Sequence, residues 1–307
     1  MVQLTDLSKT YNNGETVAVD RVSFSVEKGE LFGLIGPDGA GKTSIFRVLT
    51  TLLLPTGGSA SVNGLDVVKE YKAIRRQVGY MPGKFSLYQD LSVEENLNFF
   101  ATVFGTTIAE NYDLIKDIYV QIEPFKTRRA GKLSGGMKQK LALCCALIHR
   151  PTVLFLDEPT TGVDSVSRKE FWDMLKRLKQ QGITILVSTP YMDEATLCER
   201  IALIQKGRIM SIDTPANVIS RYPEKLYAIK ATNMSGLLQD LRHYEAIKSC
   251  NSFGEYHHIS LKDNREDVRK DLLRYLETKA HQDIAMQPTT PTIEDCFIDL
   301  MQGVDGQ

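Results

Sequence analysis

The chain has 307 residues, a length for one large domain or for a large domain with a small one. Its 37 basic and 38 acidic side chains balance to a formal charge of −1, which leaves no basic footprint for general nucleic-acid binding. No apolar stretch approaches the roughly 20 residues of a membrane-spanning helix, the first ten residues hold no apolar targeting segment, and five cysteines without CxxC spacing point to reduced thiols in a cytosol.

Residues 17–26 read as a strand, with Val22, Phe24 and Val26 on one face at period two. After the turn Lys28-Gly29-Glu30, Leu31 to Ile35 is the short apolar run of a strand buried on both faces. A glycine-rich loop follows. Then comes a helix from about Lys42 to Leu53, with Ile45, Val48, Leu49 and Leu52 at helical spacing, closed by Pro55-Thr56-Gly57-Gly58. Residues 91–105 and 111–121 are helix-like and carry no strand signal, so a helical insertion is expected at about residues 85–150. Thr152 to Leu156 and Ile183 to Val187 are two more buried-strand runs, each preceded by a helix. Strands alternating with helices predict an α/β fold with a mostly parallel sheet over residues 1–214.

After Asp213-Thr214-Pro215 the character changes. Strand-like Lys225 to Ala231 precedes an amphipathic helix, Leu237 to Tyr244. A strand pair, Ala246 to Ser249 and Tyr256 to Leu261, turns through Gly254. Helix Asp267 to Lys279, strand Ile284 to Met286 and helix Thr292 to Met301 complete the chain. The order βαββαβ plus a helix predicts a small α+β domain over residues 215–307, ferredoxin-like in arrangement.

Three motifs carry chemistry. Gly36-Pro37-Asp38-Gly39-Ala40-Gly41-Lys42-Thr43, followed by Ser44, matches GxxxxGK[ST], the P-loop. Glycines let backbone N–H groups approach phosphates, and the helix that follows offers its unpaired N–H groups and dipole to an anion. Lys42 is placed to reach the terminal phosphates, and the Thr43 hydroxyl to help hold Mg²⁺. Val153-Leu154-Phe155-Leu156-Asp157-Glu158 is an apolar strand ending in two carboxylates, at the edge where such sheets bind ligands. Asp157 suits Mg²⁺ and Glu158 a general base for an attacking water. Leu133-Ser134-Gly135-Gly136-Met137-Lys138-Gln139 opens a helix with Ser134 as N-cap, and Gly135 and Gly136 there suit a second phosphate contact.

In this order the three motifs resemble an ATP-binding cassette (ABC) ATPase, the nucleotide-binding subunit of ABC transporters. The likeness runs from Val2 to about Thr214. Tyr11 resembles the aromatic that stacks on adenine, and Thr160-Thr161-Gly162-Val163-Asp164 the loop that touches an opposite subunit. Tyr80-Met81-Pro82, Ser86-Leu87-Tyr88, the run from Asp90 to Leu97 and the tail Pro291 to Phe297 are similar to the branch that exports drugs, lipids or polysaccharides through separate membrane subunits. The resemblance implies ATP and Mg²⁺ as cofactors and a second cassette paired head to tail, each ATP lying between one P-loop and the other Ser-Gly-Gly segment. It implies integral membrane permease subunits as partners, no nucleic acid, and a cytoplasmic chain held peripherally at the membrane through the permease. A regulatory subunit with little ATPase activity of its own is the alternative within that family. A soluble ABC protein of translation or DNA repair is a third, disfavoured because the chain has neither tandem cassettes nor a long coiled-coil insertion.

Three positions depart from the family pattern. Gly83 stands where a glutamine usually touches Mg²⁺ and the water, Pro190 where a histidine usually contacts the γ-phosphate, and Asp38 where asparagine is most common. Gly83 and Pro190 together imply a degenerate ATP site here, with an intact Ser-Gly-Gly motif supplied to a partner. A heterodimer is favoured on that ground over a homodimer. Of the histidines, His149 ends a helix, where a cation suits the dipole. His257-His258 has no Cys/His partners at ligand spacing and reads as structural.

Overall fold

The computed structural model describes residues 1–305. The chain divides into two compact units, Met1–Val218, which also takes in the chain from Leu300, and Ile219–Asp299. No helix among the described residues is long and apolar enough to cross a membrane.

The first unit opens on β1 (Val2–Tyr11) and β2 (Thr16–Val26), an antiparallel pair that sets Val2 opposite Val26 and Leu4 opposite Phe24. The link between them uses Asn12 and Asn13, both at left-handed φ, which asparagine tolerates better than most residues. Next come β3 (Leu31–Ile35), α1 (Lys42–Leu49), β4 (Gly57–Val62), β5 (Leu65–Asp66), α2 (Tyr71–Arg75) and β6 (Val78–Met81). Strands β2, β1, β4 and β5 form one antiparallel sheet in that order. Helix α1 stops four residues short of the sequence expectation. The Thr50 hydroxyl donates back to the Phe46 carbonyl at 2.8 Å, Thr51 turns left-handed at φ +62°, and Leu52 is left 57% exposed rather than on the buried face.

The helical insertion contains α3 (Val93–Val103), α4 (Tyr112–Tyr119) and α5 (Gly135–Leu147). Helix α3 starts in a capping box: Ser92 accepts from Glu95 N–H while the Glu95 carboxylate accepts from Ser92 N–H. Helix α5 packs against α3, α4 and β6. The chain then returns through β7 (Val153–Asp157), α6 (Ser165–Gln180), β8 (Thr184–Thr189), β9 (Arg200–Gln205), β10 (Arg208–Asp213) and α7 (Pro215–Ser220). The central sheet runs β10-β9-β3-β8-β7-β6, parallel throughout except for the β9–β10 hairpin. Strands β3, β7 and β8 are buried at every residue, which is why they read as unbroken apolar runs.

The second unit holds β11 (Leu226–Lys230), α8 (Met234–His243), β12 (Ile247–Phe253), β13 (Tyr256–Leu261), α9 (Glu266–Thr278) and β14 (Ala285–Thr289). Helix α10 (Ile293–Asp305) follows. Its sheet is antiparallel, in the order β12-β13-β11-β14. Tyr227, Ile229, Ile259 and Leu261 pack with Leu237, Leu241, Leu272 and Leu276 in its core. His257 hydrogen-bonds to Ser252 Oγ and the Met234 carbonyl, whereas His258 faces Asp295 at 3.0 Å. Adjacent strand residues point to opposite faces, so the two rings do not converge on one ion. Among the described residues no metal-binding cluster of His, Cys, Asp or Glu occurs.

Candidate nucleotide site

The parallel strands deliver their ends to one edge of the sheet. Strand β8 lies between β3 and β7, pairing Ile35 with Thr189 and Asp157 with Ser188. Residues 36–41 leave β3 there and enter α1. Glycine is required at two of these positions. A Cβ on Gly36 would stand 2.2 Å from the Ile204 carbonyl oxygen. Gly41 takes φ +103°, and its Cβ would stand 2.3 Å from the Ala18 carbonyl oxygen. The loop is braced from beneath: Gly36 N–H donates to Thr189 O at 3.2 Å, Ala40 N–H to Pro37 O at 3.2 Å, and Gly207 N–H to Ala40 O at 3.1 Å. Pro37 is half-buried, while Asp38 and Gly39 form the exposed crest.

Lys42 is 3% exposed. Its Nζ donates to Gly36 O at 2.8 Å and Pro37 O at 3.0 Å, and stands 3.4 Å from Glu158 Oε1. This contact joins the glycine loop to the carboxylate pair. Thr43 and Ser44 follow in the first turn of α1, half-buried, where helix N–H groups lack intrahelical acceptors. Tyr11, at the end of β1, reaches the same turn: its hydroxyl is 3.0 Å from Ser44 Oγ.

Asp157 is 2% exposed and accepts from Ser188 Oγ at 2.5 Å. Glu158 sits at φ +50°, a conformation that costs a non-glycine residue about 1 kcal/mol or more. Its N–H is held by Ser188 O at 2.9 Å and Ser188 Oγ at 3.2 Å. Ser188 thus holds the Asp157 carboxylate and the Glu158 backbone, a role that its place in an apolar strand did not announce. On β6, burial and then the Asp157 charge push the Tyr80 phenol up to about 12, so it stays neutral. Gly83 lies directly beside this pair.

Ser134, Gly135 and Gly136 are packed elsewhere, beside the start of α6. Ser134 Oγ caps α5 by accepting from Met137 N–H at 3.3 Å, and a Cβ on Gly136 would stand 2.8 Å from Ser167 Oγ. Asp164 caps α6 through Val166 and Ser167 N–H. Ser134 and Gly135 are exposed. His149 corrects a sequence expectation: its Nε2 bonds the Val78 carbonyl at 3.0 Å, its ring stacks on Phe104, and burial lowers its pKa. It is an uncharged wedge at neutral pH, not a cation at a helix end.

A hard oxygen ligand set from Asp157 and Thr43 suits Mg²⁺, and the loop with its helix N-terminus suits a polyphosphate. Glycine loop, carboxylate pair and parallel sheet define a P-loop nucleotide-binding domain. The ABC transporter family profile matches residues 19–161. The chain is 37% identical over 308 aligned positions to the probable multidrug ABC transporter ATP-binding protein YbhF of Escherichia coli (strain K12). That match covers 99% of this chain and 52% of YbhF, so the chain spans about half of that relative's length. It is 39% identical over 221 positions to the Nod factor export ATP-binding protein I of Burkholderia thailandensis, covering 71% of this chain and 72% of the relative. It is 39% identical over 216 positions to the doxorubicin resistance ATP-binding protein DrrA of Mycobacterium tuberculosis, covering 69% and 65%. A solved dimer of the ATP-binding cassette MJ0796, bound to ADP and Pi, shares the fold at TM-score 0.64 and 27% identity, over 70% of this chain and 98% of that one. The chain belongs to the ATP-binding proteins of the ABC transporter family.

Proposed function

We propose that the chain binds and hydrolyses Mg-ATP as the cytoplasmic ATPase subunit of an ABC exporter. The observation that carries this is the 3.4 Å approach of Lys42 to Glu158, which sets the phosphate loop and the general base in one site. In this reading residues 36–44 hold the phosphates, Lys42 neutralises the terminal ones, and Tyr11 packs on the base. Thr43 and Asp157 hold Mg²⁺, which supplies charge neutralisation on the phosphate oxygens. Glu158 accepts a proton from the attacking water. Ser134 and Gly135, exposed at a helix N-terminus, serve with the half-buried Gly136 the ATP of a second cassette paired head to tail. Gly83 and Pro190 offer the chain's own site no side-chain donor, so that site turns over slowly and a different cassette brings the competent one. The names of the relatives support export as the transport direction.

The permease docks in the groove between the central sheet and the helical insertion. That groove encloses about 650 Å³ and is lined by Arg47, Tyr80, Leu87, Phe100, Phe104 and His149 among others. An apolar cleft of that size suits a short amphipathic helix of a membrane subunit. The unit Ile219–Asp299 contributes to subunit contacts rather than to chemistry. Lys42→Ala tests the core of this reading. Losing a charge-assisted contact worth about 1.5–3 kcal/mol should weaken Mg-ATP binding roughly 10- to 100-fold. Unchanged affinity in a folded variant contradicts the assignment.

A further inference from the structure

None of the three nucleotide motifs contains Glu194, yet its carboxylate is 1% exposed. It lies in the short helical segment Met192–Leu197 after β8. Oε1 accepts from Thr160 Oγ1 at 2.7 Å and Oε2 accepts from Thr189 Oγ1 at 2.6 Å. Arg168 Nε stands 3.6 Å from Oε1. The Arg168 guanidinium also lies over the Tyr191 ring at 4.3 Å and 3.6 Å from Asp193. Burying a carboxylate is costly unless each oxygen is satisfied. Here both oxygens are engaged, and by hydroxyls on two different site segments.

Each hydroxyl belongs to a segment that shapes the nucleotide site. Thr160 is two residues past Glu158 and 1% exposed. It sits in a turn closed by Thr161 N–H on Glu158 O and Val163 N–H on Thr160 O, both at 3.2 Å. Thr189 ends β8, and its carbonyl accepts the Gly36 N–H that anchors the phosphate loop. Its hydroxyl also accepts from Tyr191 N–H at 3.1 Å, across Pro190. One carboxylate therefore ties the turn that carries Glu158 to the strand end that carries the phosphate loop. Pro190 has no polar side chain, and the segment after β8 is tied to the site through the Glu194 carboxylate.

We propose that Glu194 is a positioning residue for hydrolysis, holding the Thr160 turn, and with it Glu158, in register with residues 36–43. The inference rests on the ATP-hydrolysis reading above. Positioning is most of phosphoryl-transfer catalysis, so loosening Glu158 should cost rate more than affinity.

Thr160 separates positioning from packing. Thr160→Val keeps the volume and deletes the hydroxyl, whereas Thr160→Ser keeps the hydroxyl and deletes a methyl. Glu194→Gln leaves one of the two hydroxyls without an acceptor oxygen. The measurement is single-turnover release of labelled phosphate from stoichiometric Mg-ATP by the full chain, followed over hours, with Mg-ATP affinity and thermal midpoint alongside. Thr160→Val should slow phosphate release about 10-fold with affinity within about twofold, and Thr160→Ser should stay within about threefold of wild type. Glu194→Gln should be slowed about 10-fold, and adding Thr160→Val should slow it by less than about twofold more, because both remove one link. If packing were the whole role, Thr160→Ser would be the more damaging change and Thr160→Val near neutral, which overturns the inference. Wild-type rates in Thr160→Val and Glu194→Gln overturn it while leaving the ATPase reading standing. If Thr160→Val does not fold, the Glu194→Gln rate decides. A wild-type chain that binds Mg-ATP but releases no phosphate overturns the hydrolysis reading and this inference together.

Discussion

Gly83 faces the backbone of Asp157: a Cβ built on it would stand 3.1 Å from the Asp157 carbonyl oxygen and 3.6 Å from the Glu158 Cβ. Position 83 is therefore beside the carboxylate pair, and glycine there leaves the site without a side-chain contact from the end of β6. Pro190, one residue past Thr189, adds none from the end of β8. Restoring both, as Gly83→Gln with Pro190→His, should raise phosphate release by the chain alone about 10-fold, since more groups would hold the water and the phosphate. Gly83→Gln alone should gain less than Pro190→His alone, because its Cβ must first ease away from the Asp157 carbonyl. A double variant with intact nucleotide affinity and no gain in rate contradicts the proposed cause of slow turnover.

Ser188 supports both acids, donating to Asp157 Oδ1 at 2.5 Å and meeting the Glu158 N–H at 3.2 Å. Ser188→Ala leaves a buried carboxylate short of a donor. The expected loss is about 1–3 kcal/mol of unfolding free energy. Denaturant titration checks it, and a variant as stable as wild type shows the hydroxyl to be dispensable.

The half-buried His149 gives a pH signature. Burial holds its pKa below the ordinary value of 6.5, so the unfolded chain binds more protons than the folded one as the pH falls. The stabilisation it brings is complete above about pH 6.5 and is lost as the pH drops through its lowered folded value. His149→Gln should flatten the fall in stability between about pH 6.5 and 5. Equal slopes for the two proteins, read from denaturant midpoints, contradict this assignment.

The site was legible where local chemistry decides and illegible where tertiary contacts do. Leu31–Ile35 and the strand ending at Asp157 are buried on both faces and announce themselves as apolar runs. The glycine loop follows from spacing alone. Strand β1 gave no pattern because register shifts between Leu4 and Leu7, and again before Lys9, break its alternation. The end of α1 turned on the left-handed Thr51, where apolar spacing had promised one more turn. Glu194 sits between Asp193 and Ala195 in the short helical segment Met192–Leu197. Its burial depends on two threonines, 34 and 5 residues away in sequence, and no local signal marks it.

In the proposed head-to-tail pair this chain supplies the P-loop half of one ATP site and the Ser-Gly-Gly half of the other. The direct test is the ATPase rate of the assembled transporter with Ser134→Ala or Glu158→Gln in this chain. In the proposed pairing Ser134, exposed at the start of α5, would serve a competent site on the partner, and Glu158 would serve a slower site on this chain. Ser134→Ala should therefore depress turnover of the complex more than Glu158→Gln does. Brisk hydrolysis by the isolated chain that vanishes with Glu158→Gln, or a complex stopped by Glu158→Gln and indifferent to Ser134→Ala, would contradict it.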